Sequence, residues 1–438
     1  MSSVSTPEKA IEYFNRDTLK TFLARRQEPA WMVKFREEAL SLFEMLPWPT
    51  TADEEWRRTN ISNIPFGDFH FLENEVPTAG TQAGQVDGLS GRIHFQGYVP
   101  SEAVLSPELR QKGVVFTTLA DAVNSHPELI REYFMTRNVR PGEGKFEALH
   151  AAFWTHGVVL YVPRNVEIEQ PFLTIFEEVG KQKATFPHVL VILEPGARAA
   201  FLSEIISGDE GAVFRNSVIN LFVQDNAALK YAEVQNLNEL SYNFMNGWSE
   251  LQRDAHIYSL IGTFGSKLTK NRLGGGAMGP GADAELHGVY FAHHKQHFDQ
   301  RTIQYHEAPH ARTNVFYKGV VKDKAHTIYQ GLIRVFKGAQ KTDAYQQNKN
   351  LSLNDGARAD SIPSLEIEAN DVRCTHGATV GKVNEEEVFY LMSRGLPRAE
   401  AKKLLVEGFL DEVILQAPQV IQDILHPWVA RKLESIQE

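Results

Sequence analysis

The stretch Tyr317-Lys318-Gly319-Val320-Val321-Lys322-Asp323-Lys324-Ala325-His326-Thr327-Ile328-Tyr329-Gln330-Gly331-Leu332-Ile333 says one thing twice. Tyr317-Lys318-Gly319-Val320-Val321 is echoed by Tyr329-Gln330-Gly331-Leu332-Ile333, with Lys324-Ala325 between them. The same punctuation, a small or polar residue followed by alanine ahead of a strand-like run, recurs upstream. It falls at Gly196-Ala197, Asn226-Ala227, Asp254-Ala255, Asp283-Ala284 and His310-Ala311, whose alanines are 30, 28, 29 and 27 positions apart. Beyond Ala311 the step halves to 14 at Ala325 and 14 at Ala339, then 18 at Ala357. A drifting period near 28 with a half-period of 14 is what stacked copies of one supersecondary unit leave in a chain. Each coil is expected to hold two strands and two turns. The spacing predicts a mainly β fold built on a right-handed parallel β-helix over residues 155–383. A β-sandwich also yields short strands between turns, but it does not require a near-constant step.

The flanks have a different texture. Residues 1–154 read as a helical region with mixed segments. In Met32–Phe43, Phe35, Ala39 and Leu42 fall at i, i+4 and i+7, one face of a helix. Pro47 and Pro49 close it, and shorter helical pieces follow at His126–Met135 and Phe146–Phe153. Residues 384–438 are again helical. Asn384 is an N-cap followed by Glu385, Glu386 and Glu387 in the electropositive first turn. Gly395 suits the helix end, Pro397 opens a second helix to about Leu415, and Pro418 and Pro427 punctuate the remainder.

Across 438 residues, 42% hydrophobic and 23% charged content is ordinary for a globular chain. A net charge of −10 argues against a general nucleic-acid binder. The run Met1–Lys9 lacks the apolar core of a signal peptide, and no stretch is apolar enough to span a bilayer, so a cytoplasmic, membrane-free protein is expected. A single cysteine excludes an internal disulfide and fits a reducing compartment.

That cysteine lies in Asp371-Val372-Arg373-Cys374-Thr375-His376-Gly377-Ala378-Thr379-Val380-Gly381. In an extended strand, positions i and i+2 share a face about 6.6 Å apart. Cys374 and His376 are therefore half of a soft metal site, with the other half to come from elsewhere. The bland alternative is a buried thiol beside a hydrogen-bonded imidazole. A second group, His287, His293, His294, His297, His306 and His310 with Asp299 and Glu307, offers metal-ligand chemistry. It spans several strands and turns, which favours residues stacked on a solenoid face. Gly274-Gly275-Gly276-Ala277-Met278-Gly279-Pro280-Gly281 lacks the lysine and hydroxyl residue of a phosphate loop and reads as a solenoid turn. No nucleotide site, nucleophile elbow or self-contained thiolate cluster is legible.

Taken together, Ser361–Ile367, the Cys374/His376 block, Phe389-Tyr390-Leu391-Met392-Ser393-Arg394-Gly395 and Glu407-Gly408-Phe409 resemble the C-terminal signature of the SufB/SufD family, scaffold components of the SUF iron–sulfur cluster assembly system. His293–Asp299 and Tyr317–Val321 resemble its β-helix core, and the likeness runs over roughly residues 150–415. The helical N-terminal region with Asp53-Glu54-Glu55-Trp56-Arg57-Arg58-Thr59 and the scarcity of cysteine resemble the SufD branch. The resemblance implies a non-catalytic scaffold that pairs with SufB through the β-helices and docks the SufC ATPase on the C-terminal helices. It implies a nascent iron–sulfur cluster shared with the partner, with His376 at the SufB interface as ligand or proton acceptor and Cys374 in a lesser role. Phe389, Tyr390, Ser393 and Arg394 are expected to lie where SufC couples, with plain helix packing as the alternative for the two aromatics. A reduced flavin is implied for the assembly, but no site for it is legible here. Two other readings compete. One is a homodimeric β-helix interaction or storage module formed when the chain is isolated. The other, much weaker, is a β-helix carbohydrate-active enzyme.

Overall fold

The computed structural model describes residues 12–71, 88–208 and 211–436. The run 1–9 discussed above lies outside them. Twenty strands are described. The first seven are β1 (Gly91–Gln96), β2 (Val99–Leu105), β3 (Val115–Thr118), β4 (His156–Val162), β5 (Phe172–Glu178), β6 (Lys183–Thr185) and β7 (Pro187–Leu193). Next come β8 (Arg198–Ser207), β9 (Val213–Val223), β10 (Ala228–Asn236), β11 (Tyr242–Leu251), β12 (His256–Thr263) and β13 (Leu268–Ala277). The last are β14 (Asp283–Ala292), β15 (His297–His306), β16 (Arg312–Val321), β17 (His326–Val335), β18 (Asp343–Ser352), β19 (Arg358–Ile367) and β20 (Arg373–Lys382).

Strands alternate between two sheets. Sheet 1 runs β2-β1-β5-β8-β10-β12-β14-β16-β18-β20, and sheet 2 runs β19-β17-β15-β13-β11-β9-β7-β4-β3 with β6 added on β9. From β8 onward every neighbouring pair within a sheet is parallel and in continuous register. This is the parallel β-solenoid that the repeat predicts. Its sheets reach into the N-terminal region, where β2 and β3 close them with antiparallel pairs.

The alanine punctuation has a steric cause. Gly196, Asn226, Asp254, Gly281 and His310 take the left-handed conformation, with φ of 74°, 57°, 51°, 74° and 60°. Glycine, asparagine and aspartate tolerate it best. The following alanines, Ala197, Ala227, Ala255, Ala282 and Ala311, are buried at the corners, where a larger side chain has no room. The marker in the fourth coil is thus Gly281-Ala282, not Asp283-Ala284: Asp283 already begins β14. The glycine run is likewise mostly strand rather than turn. Gly274, Gly275 and Gly276 lie in β13, and a Cβ on Gly274 would stand 2.0 Å from the Trp248 ring.

Apolar side chains from both sheets fill the interior, among them Val191, Leu221, Leu229, Ile257 and Leu286. Each such fully buried side chain contributes about 1.5–3 kcal/mol. The outer face of sheet 2 is covered by the N-terminal region, including α1 (Arg16–Leu23), α2 (Ala30–Met45), α4 (Leu119–Ser125), α5 (Pro127–Tyr133) and α6 (Lys145–Phe153), whereas the short α3 (Pro107–Gln111) turns Leu109 into the interior cluster. Arg36 of α2 is buried there. It donates to Glu28 through Nε and Nη2 (both 2.7 Å) and to the carbonyls of Ala152 and Trp154.

The outer face of sheet 1 is covered by α8 (Arg398–Ile414) and α9 (Gln419–Leu433), which follow α7 (Glu385–Ser393). Pro397 is the N-cap of α8, one residue outside the helix. Pro427 does not break the chain there; it lies inside α9. Proline removes one helical hydrogen bond, but Ile421, Leu425, Val429 and Leu433, at i, i+4, i+8 and i+12, bury one face of α9 and carry it through.

Candidate functional site

The solenoid ends on β19 and β20, each the outermost strand of its sheet. On β20, Cys374, His376, Ala378 and Val380 pair in register with Ala344, Gln346, Asn348 and Asn350 of β18, all four buried. Cys374 and His376 therefore face the interior of the coil, on one side of the strand, as their spacing predicts. With no further coil stacked on them, His376 is exposed and Cys374 half-buried. Cys374 packs against the small cluster of Ile333, Val335, Ala339, Ala344 and Ala369. Burial, aided by the Asp343 carboxylate, pushes its thiol pKa up.

Beneath His376 lies Gln346, fully buried and packed over Gly331, where a Cβ would meet the Gln346 amide at 2.2 Å. Neither its Nε2 nor its Oε1 has a hydrogen-bond partner among the described residues. A buried amide without partners is rare enough to call for a ligand or neighbour. Behind it the interior turns polar. The Tyr290 hydroxyl donates to Asn350 Oδ1 (2.6 Å), and Asn348 Nδ2 donates to the Tyr290 oxygen (3.1 Å). Asn350 Nδ2 donates to Asn348 Oδ1 (2.7 Å). The echoed tyrosines Tyr317 and Tyr329 meet across the lumen, ring centroids 5.3 Å apart. Tyr317 and Tyr329 stand out in the sequence only as repeat markers, and Tyr290, Gln346, Asn348 and Asn350 do not stand out at all. The period-2 pattern with the known strand starts would have marked them as inward polar residues.

The second expected site lies on α7. Asn384 caps it through the Glu386 N–H (3.0 Å), and Gly395 ends it at φ 97°. Phe389 and Tyr390 are 72% and 56% exposed, so helix packing within this chain does not account for them. Ser393 Oγ donates to the Tyr390 carbonyl (2.7 Å). Arg394 caps the C-terminus of α7, with its guanidinium 5.2 Å from the Tyr390 ring centroid. The adjoining helix is tied to the solenoid by the buried Lys318 side chain, whose Nζ donates to the Phe409 carbonyl (2.7 Å) and contacts the Glu412 carboxylate.

The histidine-rich stretch does not converge on one point. His287 is buried on the outer face of sheet 1, stacked on Tyr258 at 4.9 Å. His306 faces the interior beside the Thr313 hydroxyl (3.0 Å), and burial holds its pKa down at about 4. His297 neighbours Thr59 and His326 on sheet 2, and His310 is an exposed turn residue. Asp299 is buried against Lys270 (2.6 Å), and Glu307 is exposed. His297 and Asp299 meet only through the Thr59 hydroxyl; among the described residues His293 and His294 alone join a three-ligand group, with Glu239, which the sequence does not mark.

The architecture defines a class: a two-sheet parallel β-solenoid, clothed by helices on both outer faces, that offers an incomplete soft-ligand pair at an open end. Residues 176–409 match the family described as SUF system FeS cluster assembly, SufBD core domain, and residues 7–173 match the SufBD protein N-terminal region. The chain belongs to the SufBD family, a component of iron–sulfur cluster assembly. It is 32% identical over 421 residues to the iron-sulfur cluster assembly protein SufD of Bacillus subtilis, covering 92% of this chain and 94% of that one. It is 28% identical over 419 residues to an iron-sulfur cluster assembly SufBD family protein of Staphylococcus epidermidis (90% and 87% covered). Identity to a family member of Staphylococcus aureus is 27% over 416 residues (90% and 87%). No helix among the described residues is long and apolar enough to cross a membrane.

Proposed function

We propose that this chain is the SufD-type scaffold subunit of a SUF complex, pairing with SufB through the open end of its solenoid and carrying SufC on its C-terminal helices. The observation that carries this reading is the terminal coil. Two adjacent strand edges, β19 and β20, lack a neighbour on their outer side among the described residues, and unpaired edges are templates for a further strand. Ile367 and Val380 are 42% and 50% exposed on those strands. His376, Cys374 and the partnerless Gln346 face the same half-open interior. A cluster takes mostly thiolate ligands with histidine as a minority ligand. One thiol and one imidazole are too few for a self-contained site and suit one completed by a SufB cysteine.

In this reading the nascent cluster is cargo held across the interface, with His376 as ligand or proton acceptor. Cys374, kept in its thiol form by burial, has a packing role first. ATP binding draws two SufC subunits together. The exposed Phe389 and Tyr390 transmit that movement through α7 and α8 to the SufB–SufD interface and expose the site. A second copy of this chain also fits the same open end when SufB is absent, giving a homodimer. The test is co-purification with SufB and SufC followed by anaerobic cluster reconstitution with wild-type chain and His376→Ala. A stable complex with a collapsed cluster yield in the variant supports the shared site. A stable complex with unchanged yield removes His376 from the chemistry. Mass measurement of the chain alone and in the complex distinguishes homodimer from heterodimer.

A further inference from the structure

Three ligand-bearing side chains meet on the flank of the solenoid, remote in sequence from β20. The turn between β14 and β15 carries His293 and His294, and the turn between β10 and β11 carries Glu239. Glu239 Oε2 lies 2.9 Å from His294 Nδ1, and Glu239 Oε1 lies 3.3 Å from His293 Nε2. One ligand atom from each residue falls within 4.8 Å of the other two. The His turn is fixed from below: Gln296 accepts from the His293 N–H (3.0 Å) and donates to the Ser266 carbonyl (2.8 Å). Asp323 accepts from the His294 N–H (2.9 Å). A cation already stands here, because Lys432, in the last turn of α9, places its ammonium 2.8 Å from His293 Nε2.

We propose that Glu239, His293 and His294 bind a divalent first-row transition ion, Fe(II) or Zn(II), and that the Lys432 ammonium holds the ion's place in its absence. Two imidazoles and one carboxylate form the donor set such ions prefer. Ligand atoms about 2.1 Å from a shared ion lie roughly 3–4 Å apart, so the group needs only a small closure. His293 is buried and its turn is already fixed, so its Nε2 is held toward Glu239 before any ion arrives. His294 and Glu239 are exposed and reorient at little cost. A simple Lys432–Glu239 attraction does not require two imidazoles against the same carboxylate. Entry of the ion displaces Lys432 and removes one polar tie between the last turn of α9 and the solenoid, while Leu433 keeps that turn packed, so metal occupancy is coupled to the helical region through Lys432. The inference stands apart from the interfacial site and needs no partner chain.

The test is calorimetric titration of the untagged, chelator-treated full chain with Zn(II), and anaerobically with Fe(II). It is carried out in a Cys374→Ser/His376→Ala background so that the open end contributes nothing. One equivalent is expected to bind. Glu239→Gln/His294→Ala, both exposed positions, is expected to weaken binding at least 10–100-fold. Lys432→Met is expected to tighten it several-fold, because no cation then competes. Absence of stoichiometric binding, or binding undiminished in Glu239→Gln/His294→Ala, overturns the site. Weaker binding in Lys432→Met overturns the displacement.

Discussion

Gln346 on β18 and His376 on β20 occupy paired rungs of one parallel ladder, and the glutamine amide, fully buried, has no hydrogen-bond partner among the described residues. A buried amide left unsatisfied costs about 1–3 kcal/mol. That cost is tolerable where an external group satisfies the amide, as a SufB group would in the proposed complex. Gln346→Leu is therefore expected to raise the stability of the isolated chain by about 1 kcal/mol or more in denaturant unfolding. The same change is expected to lower cluster yield in the complex with SufB. Loss of stability in the isolated variant would mean that the amide is already satisfied within the chain, for example by water.

Phe389 and Tyr390 give the opposite pattern. Their exposure means the solenoid does not depend on them. Phe389→Ala is expected to shift unfolding by no more than about 0.5 kcal/mol, the range of surface substitutions, while abolishing co-purification with SufC. Retention of SufC at wild-type stoichiometry would remove α7 from the coupling path.

The solenoid was legible because its repeat has a local steric cause, a left-handed residue followed by a buried alanine, and local causes leave marks in sequence. Gly281-Ala282 and Asp283-Ala284 both match the small-or-polar-then-alanine pattern, and only the positive φ of Gly281 distinguishes the true corner. The shared face of Cys374 and His376 followed from strand parity alone. Glu239 beside His293 was not legible, because the pairing depends on which turns the coils bring to one flank. Pro427 misled for a related reason: its local cost is real, but tertiary burial of Ile421, Leu425, Val429 and Leu433 outweighs it.

The lone cysteine offers a direct reading of the terminal coil. With its thiol pKa raised by burial and by Asp343, Cys374 carries less thiolate near neutral pH than a free cysteine. Alkylation by iodoacetamide at pH 7–8 is expected to run more slowly than for a small-molecule thiol. It should slow further when SufB binds and covers β20. Alkylation unchanged on complex formation would argue that the partner does not use this end.

Acid sensitivity is expected from the interior histidines. His306, with a folded pKa of about 4 against an ordinary 6.5, stays neutral in the fold while the unfolded chain protonates. The stability this contributes is fully present above about pH 6.5 and is lost as pH falls toward 4, at up to about 1.4 kcal/mol per pH unit. His306→Gln keeps a partner for Thr313 and removes the titration. Its unfolding free energy is expected to fall less steeply than wild type between pH 6.5 and 4, measured by urea denaturation. Parallel curves would show that His306 is solvated in the fold.

Lys318 joins the solenoid to the helical region more firmly than its chemistry suggests. Its side chain is buried, burial depresses its pKa, and its ammonium is held by the Phe409 carbonyl and Glu412, while Glu412 also accepts from Lys349 (3.2 Å). Removing one partner of a buried charged network costs about 3–5 kcal/mol when the other charge stays buried. Glu412, half-exposed, is instead free to return to water, so the loss should lie nearer 1–3 kcal/mol. Lys318→Met fills the same volume without the charge and leaves β16 intact. Amide exchange is therefore expected to accelerate across residues 398–414 and to stay unchanged in β14 and β16. If α8 also transmits SufC movement, the variant should bind SufC yet uncouple ATP turnover from cluster formation. Exchange unchanged in α8 would place its attachment in the apolar contacts of Val406, Leu410 and Val413 alone.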